Sequence, residues 1–168
     1  MRTSSKNQDG VFEPFTATEA PVESFSQGRF GASWRALSDF SGGSHLGFIL
    51  EELAPGVQTN QRHYHLLEEE HVFILDGELT LLLGEKRYPM KAGDYVCFPA
   101  GQAVGHSLLN ESGAVCRYIL VGERDPHDVC VYPDSGRVGV KLMNQGYRLN
   151  QPMDYWEGVE GAGDPEAK

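Results

Sequence analysis

Cysteine, positive charge and long apolar runs are all scarce in this chain of 168 residues. The three cysteines, Cys97, Cys116 and Cys130, are odd in number, lie in apolar contexts and show no Cys-x-x-Cys spacing. This usage predicts buried free thiols in a reducing compartment. No run of about 18 apolar residues occurs, which excludes a membrane-spanning helix on length, and the polar N-terminus does not resemble a secretory signal. We therefore expect a cytoplasmic protein with no membrane partner.

The shortage of positive charge limits the classes of partner. Lysine and arginine total 14 against 24 aspartates and glutamates, which gives a formal net charge of -10. A field of this sign repels phosphate backbones and anionic membranes, so we expect no nucleic-acid partner and leave a small-molecule ligand open. The length and the 40% hydrophobic content are those of one globular domain.

The most informative pattern in the chain is a pair of histidines, His63 and His65, separated by one residue. Side chains alternate along an extended segment, so both imidazoles project from the same face. Glu70 follows and opens a strand-favouring run that ends at the turn signal Asp76-Gly77. Two imidazoles and a carboxylate, with no thiolate, suit one divalent ion in a catalytic or exchangeable site: zinc, iron, manganese, nickel or copper.

A second pattern follows in the other half of the chain and supplies a third histidine. The segment 93–101 is a turn, an apolar strand and a Pro-x-Gly turn, and His106 begins the next strand. The two patterns together resemble the paired motifs of the cupins, G-x5-H-x-H-x(3,4)-E-x6-G and G-x5-P-x-G-x2-H-x3-N. The matching residues are His63, His65, Glu70 and Gly77 in the first motif and Gly93, Pro99, Gly101, His106 and Asn110 in the second.

Two spacings depart from these motifs. Gly56 precedes His63 by one residue more than the pattern has, and four residues instead of two separate Gly101 from His106. The second departure lengthens the turn before the strand that carries His106. The resemblance covers residues 56 to 110, and strand-like segments on both sides extend the expected barrel.

The resemblance implies an all-β fold, a double-stranded β-helix of the cupin or jelly-roll type, with His63, His65, Glu70 and His106 as ligands of one divalent metal. It implies a range of activities that includes dioxygenases, oxalate-type decarboxylases, sugar-phosphate isomerases and lyases acting on small acids. We expect a metal-dependent enzyme for a small polar carboxylate or sugar-like substrate. The alternatives are a non-catalytic binding or sensor module with a bound metal, and a structural barrel with a vestigial site. Small cupins commonly pair through a sheet, so a homodimer is expected.

Strand-like segments of four to eight residues, separated by turn residues, indicate an all-β barrel or sandwich independently of the resemblance. They are Ser33–Phe40 and Leu46–Leu53, paired around Gly42-Gly43, then Leu79–Leu83, Arg87–Met90, Asp94–Phe98, His106–Asn110, Val115–Gly122, Val129–Tyr132 and Val138–Met143. The expected division is an N-terminal tail or arm at 1–29, the barrel at 30–142 and a C-terminal extension at 143–168. Tyr147, Tyr155 and Trp156 are expected to anchor that extension to the barrel rim or to a second subunit.

Three further residues are candidates for the substrate pocket. Tyr95, Arg117 and Tyr118 carry a phenol or a guanidinium that could orient an acid substrate or take part in proton transfer. Arg117 and Tyr118 are adjacent on a strand, so one of them points into the barrel, and the pattern does not say which.

The remaining acidic and imidazole groups near the first motif have other expected roles. Glu68 and Glu69 compete with Glu70 for the ligand position, and the spacing to Gly77 favours Glu70. His71 falls on the face opposite Glu70 and is expected to be a packed or interface histidine. The turn residues His45 and His127 are expected to be solvated.

Overall fold

The computed structural model describes residues 2–160, and the acidic, glycine-rich stretch at 161–168 lies outside the described residues. The fold is all-β, and every strand pair is antiparallel. The strands are β1 (Glu23–Gln27), β2 (Phe30–Ala36), β3 (Leu46–Leu53), β4 (Tyr64–His65), β5 (Glu70–Asp76), β6 (Glu78–Leu83), β7 (Lys86–Lys91), β8 (Tyr95–Phe98), β9 (His106–Leu109), β10 (Cys116–Glu123), β11 (Val129–Tyr132), β12 (Arg137–Val140) and β13 (Gln145–Arg148). One helical turn, α1 (Leu37–Phe40), and 3-10 turns at Ala17–Glu19, Pro133–Ser135 and Lys141–Met143 complete the chain.

The strands form three sheets, and the buried core cluster is drawn from the six-stranded and three-stranded sheets. The largest has the order β1-β2-β3-β10-β5-β8, the second β13-β12-β11-β4 and the third β7-β6-β9. Non-consecutive neighbours such as β3, β10 and β5 are typical of a wound double-sheet barrel. The core is aliphatic and aromatic, with Leu53, Val72, Ile74, Leu79, Leu81, Met90, Phe98, Leu108, Cys116 and Tyr118 all buried.

Strand β5 shows how the sequence positions the site. Its inward side chains are Glu70, Val72 and Ile74, and its outward side chains include His71 and Phe73, because a strand alternates its faces. Val72 and Ile74 are buried and hold the strand against the core, which fixes the direction of Glu70. A one-residue slip would expose these aliphatic groups, so the register is strongly specified.

Gly77 ends β5 in a conformation that favours glycine. Its φ is +80°, and a Cβ built there would lie 2.9 Å from the carbonyl oxygen of Val115. Both the positive φ and the close approach of β10 disfavour any side chain. The glycine of the first motif therefore serves the turn between β5 and β6.

The predicted strand Ser33–Phe40 is wrong in its second half. Strand β2 ends at Ala36, and residues 37–40 form the single turn α1. The Ser38 hydroxyl accepts a hydrogen bond from the backbone N–H of Phe48 (3.1 Å), and the Phe40 ring is buried against Phe15. These contacts stabilise a turn where the residue pattern indicated continued alternation. The predicted strand Val138–Met143 likewise ends early, because residues 141–143 form a 3-10 turn.

The N-terminal segment packs on the sheet as an added strand. β1 pairs with β2 from Glu23 opposite Trp34 to Gln27 opposite Phe30. Farther along the chain, Tyr155 and Trp156 are exposed and stack edge to face on each other. Among residues 2–160, no helix is long and apolar enough to cross a bilayer.

The cysteines are free, as predicted, but they are not all buried. Cys116 is buried in the core, whereas Cys97 and Cys130 are half-buried. Cys97 lies on β8, the edge strand of the six-stranded sheet, so one side of it has no neighbouring strand to cover it.

Candidate metal centre

The four predicted ligands come from three parts of the barrel that meet at one end. His63 directly precedes β4, His65 ends β4, Glu70 begins β5 and His106 begins β9. His63 and His106 are joined by backbone hydrogen bonds in both directions, at 3.1 and 2.8 Å. The longer turn before His106 therefore does not displace it.

One oxygen of Glu70 is the point at which the imidazoles converge. Glu70 Oε2 lies 3.0 Å from His106 Nε2, 3.6 Å from His65 Nε2 and 3.7 Å from His63 Nε2. The ring centroid of His63 lies 5.1 Å from that of His65 and 4.6 Å from that of His106. Three imidazole nitrogens thus face one carboxylate oxygen closely enough to bind the same ion.

The competing glutamates point elsewhere. Glu68 is buried and forms an ion pair with Lys141, and its Oε2 lies 3.6 Å from the Nδ1 side of His65. Glu69 contacts His71 on the outer face of the sheet. Of the three glutamates, Glu70 is the one that faces the Nε2 atoms, and it is also the one that the sequence spacing favours.

Contacts at the Nδ1 atoms and ring faces orient the imidazoles. Asp128 Oδ2 lies 2.6 Å from His65 Nδ1, and the carbonyl oxygen of Gln61 lies 3.1 Å from His63 Nδ1. Phe98 stacks on the His106 ring with centroids 3.7 Å apart and an interplanar angle of 2°. A carboxylate or carbonyl at Nδ1 favours the tautomer that leaves Nε2 free to bind an ion.

Asp128 is a site residue that the sequence reasoning missed. It is 1% exposed, and its second oxygen accepts a hydrogen bond from the backbone N–H of Leu67 at 3.0 Å. Burial raises its pKa, but the hydrogen bonds from His65 and from backbone amides outweigh this, so the pKa lies below its ordinary value. Asp128 therefore remains a carboxylate and can accept a hydrogen bond from His65 Nδ1–H.

Burial and mutual charge set the protonation of the cluster. Burial and the neighbouring charges of His106 and His65 lower the pKa of His63 to about 4. Burial acts to raise the pKa of Glu70, but the His106 hydrogen bond and the three imidazoles lower it to about 2. At neutral pH His63 is a neutral imidazole and Glu70 is a carboxylate, which are the forms that bind metal.

A cavity of about 230 Å³ opens from the cluster into the barrel. Its polar lining comprises His63, Glu70, His106, Glu51, Thr59, Asn60 and Ser107, and its apolar wall includes Phe25, Trp34 and Val72. Among the described residues, this lining contains no lysine or arginine. The cavity is smaller than the roughly 300 to 1,000 Å³ of drug-sized ligand sites, so it fits a small ligand.

Glu51 is the second site residue that sequence reasoning missed. It is 8% exposed on β3 and accepts a hydrogen bond from the Tyr118 hydroxyl at 2.7 Å. Burial raises its pKa to about 7, against the opposing effect of the Tyr118 hydrogen bond. The cavity therefore contains a carboxyl that exchanges its proton near neutral pH.

The three predicted pocket residues lie in different environments. Tyr118 is fully buried on β10 and reaches the cavity through Glu51, which settles the alternative with Arg117 in favour of Tyr118 as the inward residue. Arg117 is exposed and pairs with Asp76 at 3.0 Å. Tyr95 is 58% exposed on the outer face of β8, because Phe98, three residues later, faces inward. None of the three side chains lines the cavity itself, and Tyr118 is connected to it only by the hydrogen bond to Glu51.

The other histidines lie away from the cluster. His71 is half-buried on the outer face of β5, with Tyr95 OH 2.7 Å from its Nδ1. The predicted solvation of His45 and His127 is confirmed, since both are exposed in turns.

The donor set fits a divalent metal ion. Three Nε2 atoms face one carboxylate oxygen, and the ligand atoms of His63, Glu70 and His106 lie within 4.8 Å of one another. The Cys130 sulfur lies within the same distance of ligand atoms of His63 and His65. Two of the imidazoles have an oxygen at Nδ1, and the buried Nδ1 of His106 has no hydrogen-bond partner among the described residues. Nitrogen and oxygen ligands of this kind suit zinc, iron, manganese, nickel and copper, so the geometry does not choose among them.

Comparison with known proteins places the chain in a family. The cupin domain model matches residues 49–122, which contain all four candidate ligands. No curated protein sequence matches the chain.

Solved structures extend the similarity beyond the motifs. A sugar phosphate isomerase of the cupin superfamily from Silicibacter pomeroyi is 31% identical, with 74% of this chain and 81% of that chain covered and a TM-score of 0.67. An Acidithiobacillus ferrooxidans protein, named as a proposed sugar phosphate isomerase, is 30% identical over 70% of this chain and 74% of that chain, with a TM-score of 0.66. A Thermotoga maritima protein named as a predicted oxalate decarboxylase shares the fold at 24% identity, covering 66% and 98% of the two chains with a TM-score of 0.57. The matched motifs, the wound sheets and these similarities show that the chain belongs to the cupin superfamily.

Proposed function

We propose that this cupin is a metal-dependent enzyme that moves a proton on a small, sugar-like or hydroxy-acid substrate. The observation that carries the proposal is the shared cavity: a candidate metal cluster and a carboxyl with a pKa of about 7 line the same space. Isomerisation of a hydroxy carbonyl needs both a polarised oxygen and a group that takes and returns a proton. The two relatives named for sugar phosphate isomerisation support this reaction class.

His63, His65, Glu70 and His106 would hold the ion, and Asp128 would orient His65. A divalent ion bound there supplies Lewis-acid polarisation of a substrate oxygen. Because His63 and Glu70 are already in their metal-binding forms at neutral pH, protons at these two groups compete little with the ion.

Glu51 carries the proton-transfer role in this proposal. As a carboxylate it accepts a proton from a substrate C–H or O–H in the cavity, and it returns that proton in the protonated form. Tyr118 positions it by donating a hydrogen bond to Oε1, which leaves Oε2 for the substrate. A pKa near the working pH makes both directions of transfer accessible.

The cavity walls define the substrate class. Trp34 and Phe25 provide flat apolar surfaces, and Asn60, Thr59 and Ser107 provide polar groups at the other side. A polyhydroxy molecule has both a C–H face and hydroxyl groups to match them. Since the lining has no lysine or arginine among the described residues, we do not carry the phosphate preference in the relatives' names over to the inside of this cavity.

Deuterium exchange tests this proposal whatever the net reaction is, because it follows the proton at carbon directly. The protein is loaded with one metal at a time and incubated in D2O with small aldoses, ketoses and 2-hydroxy acids, and mass spectrometry measures deuterium at carbon. We expect metal-dependent incorporation that is absent after the double substitution His63→Ala, His106→Ala. In Glu51→Gln the rate falls by about 10²- to 10⁴-fold while the metal content is retained.

Glu52→Gln, an exposed position on the same strand, is the matched control and leaves the exchange rate unchanged. Ligand binding without exchange in the metal-loaded wild type would instead establish the non-catalytic binding or sensor module. Absence of metal after titration with each ion would remove both the enzyme and the metal-bound sensor.

We also propose a cytoplasmic homodimer that pairs through the six-stranded sheet. The outer face of that sheet carries Leu46, Phe48, Phe73 and Leu75, each between 41% and 50% exposed. Leu46 and Phe48 lie on β3, Phe73 and Leu75 lie on β5, and β10 separates the two strands. Exposed apolar side chains on one face of a sheet are a feature of association surfaces. Light scattering of the wild type and of Phe73→Lys tests this pairing, and a wild-type monomer at micromolar concentration would contradict it.

A further inference from the structure

A second group of potential ligands lies on the opposite face of the same strand that carries Glu70. Glu69 and His71 flank Glu70 in sequence and project outward, as alternation requires. Cys97 on β8 is directly opposite His71 in the antiparallel pair, so their side chains are neighbours on the outer face. Glutamate oxygen, imidazole nitrogen and cysteine sulfur therefore meet at the edge of the six-stranded sheet.

The distances within this group are those of a nearly formed site. Glu69 Oε1 lies 2.9 Å from His71 Nε2, and one donor atom from each of Glu69, His71 and Cys97 lies within 4.8 Å of the others. An ion with tetrahedral bonds of about 2.0 to 2.3 Å holds its ligand atoms roughly 3.3 to 3.7 Å apart. Small side-chain rotations are enough to close the group around an ion.

Tyr95 gives the imidazole a fixed orientation. Its hydroxyl lies 2.7 Å from His71 Nδ1, and the two rings stack with centroids 6.0 Å apart and an interplanar angle of 21°. In the ion-free protein Nε2–H donates to Glu69 Oε1 and the Tyr95 hydroxyl donates to Nδ1. When an ion takes the place of the Nε2 proton, Nδ1–H donates to the Tyr95 oxygen instead, so the ring keeps its orientation. Histidine ligands of metals are held in the same way, by an oxygen at the second ring nitrogen.

The backbone at Glu69 is also held in place. Its N–H donates to the Glu123 carboxylate at 2.9 Å, and its carbonyl accepts from the N–H of Glu123 at 3.1 Å. In the single chain the Glu69 side chain is 43% exposed and that of His71 is 34% exposed. A surface ion pair between these two side chains alone would contribute little to stability and would leave the adjacent thiol without a role.

We propose that Glu69, His71 and Cys97 form a second metal site, for a thiophilic divalent ion such as zinc, with the fourth position open to water. Binding displaces the thiol proton to solvent, so the ligands are one thiolate, one neutral imidazole and one carboxylate. The sulfur ligand distinguishes this site from the inner cluster and shifts its preference toward zinc and away from manganese. The site is independent of the proposed enzymatic function.

Cobalt titration of the purified full chain tests the proposal, because a thiolate bound to Co²⁺ gives a charge-transfer absorption that nitrogen and oxygen ligands do not. Under reducing conditions we expect two equivalents of Co²⁺ per chain and a thiolate band in the wild type. The variant His63→Ala, His106→Ala binds one equivalent and keeps the band. Cys97→Ser also binds one equivalent but loses the band, and Zn²⁺ displaces Co²⁺ from the thiolate site.

Cys130→Ser is the matched control, because Cys130 lies beside His63 and His65 at the inner cluster. It keeps both the second equivalent and the band if the outer site is the thiolate site. Loss of the band in Cys130→Ser, with retention in Cys97→Ser, would overturn the proposal and assign sulfur to the inner cluster. Glu69→Gln, which keeps the thiol, lowers outer-site affinity at least tenfold, and an unchanged affinity there would also contradict the proposed ligand set.

Discussion

The two faces of β5 carry ligand groups that differ in access and in chemistry. On the inner face, Glu70 meets three imidazoles that are at most 15% exposed in their side chains. On the outer face, Glu69 and His71 meet a thiol in partial contact with solvent. The alternation of one strand is enough to point Glu70 into the barrel toward three imidazoles and His71 outward toward the Cys97 thiol.

The difference in burial has consequences beyond ion preference. Inside the barrel, desolvation and crowded charges move the pKa of His63 to about 4, of Glu70 to about 2 and of Glu51 to about 7. Two carboxyls in one cavity thus have opposite pKa shifts. Burial acts to raise both pKa values, and the His106 hydrogen bond and three imidazole charges outweigh it at Glu70, whereas the single hydrogen bond from Tyr118 does not outweigh it at Glu51. Environment, and not residue type, suits Glu70 to the proposed metal binding and Glu51 to the proposed proton exchange.

The largest expected effect is on the pH dependence of stability and involves Glu51. Its pKa is raised from 4.5 to about 7, so the folded state keeps a proton that the unfolded state releases. This contribution to the free energy of unfolding is full below pH 4.5 and is lost as the pH rises through 7. Glutamine does not titrate. The free energy of unfolding of Glu51→Gln, relative to that of the wild type, should therefore rise by about 2 to 3 kcal/mol from pH 5 to pH 8, at about 1.36 kcal/mol per pKa unit.

Urea unfolding of both metal-free proteins at the two pH values measures this gain. Glu52→Gln, exposed on the same strand, controls for removal of a carboxylate from β3. A constant difference between Glu51→Gln and the wild type at pH 5 and pH 8 would mean that Glu51 is not held protonated, and the proton-transfer role would lose its support.

The second-largest expected effect is a difference between the inner and outer sites in the pH dependence of their metal affinity. Burial and the charge of Glu69 raise the pKa of the Cys97 thiol, so outer-site binding must release a proton throughout the neutral range. Affinity for Co²⁺ at the thiolate site should therefore rise roughly tenfold per pH unit, or about 100-fold from pH 6 to pH 8. His63 and Glu70 add no such requirement above about pH 5, because their pKa values lie at about 4 and about 2.

The charge-transfer band follows the outer site alone, and the Cys97→Ser variant reports the inner site alone. Titrations at three pH values therefore give two separate slopes. Equal slopes would show that the inner cluster releases as many protons as the outer one, which would contradict the contrast drawn from burial.

The sequence was sufficient to predict the fold class and the convergence of the four candidate ligands, because both depend on local spacing. His63, His65 and Glu70 lie within eight residues, and alternation predicts their shared direction. The turn before His106 is longer than the motif, yet the paired backbone hydrogen bonds to His63 place it correctly. Most predicted strands recur in the fold, with errors where side-chain contacts of Ser38 and Phe40 form a turn.

The residues that the sequence did not indicate depend on pairing between distant strands. Asp128 reaches His65 because β11 pairs with β4, and Glu51 reaches Tyr118 because β3 pairs with β10. No local pattern encodes either register. The same limit affected Tyr95: a four-residue strand has an inward and an outward set, and only the packing of the barrel decides between them.

Substitution of Asp128 should have the third-largest effect and should act on the inner site only. Asp128→Asn keeps the size of the side chain but removes the charge that faces His65 Nδ1 at 2.6 Å. Loss of such a supporting carboxylate typically lowers metal affinity by about 10- to 100-fold. Competition with a chelator measures the inner affinity, and Asp125→Asn is the matched control, because Asp125 lies in the same loop with its side chain 40% exposed beside His127. An equal loss at the thiolate site would indicate general destabilisation instead.

The smallest effect should come from removal of the Tyr95 hydroxyl, which contacts Nδ1 of His71 on the outer face as Asp128 contacts Nδ1 of His65 inside. Tyr95→Phe keeps the ring that stacks on His71 but removes the hydroxyl 2.7 Å from Nδ1. A neutral hydrogen bond contributes about 0.5 to 1.5 kcal/mol, so Co²⁺ affinity at the thiolate site should fall by roughly 2- to 10-fold. Tyr88→Phe, exposed on β7, controls for loss of a surface hydroxyl. The ratio of this loss to that of Asp128→Asn compares a neutral, solvated hydrogen bond at Nδ1 with a charged, buried one. A larger loss of affinity for Tyr95→Phe would show that burial does not strengthen the hydrogen bond from Asp128.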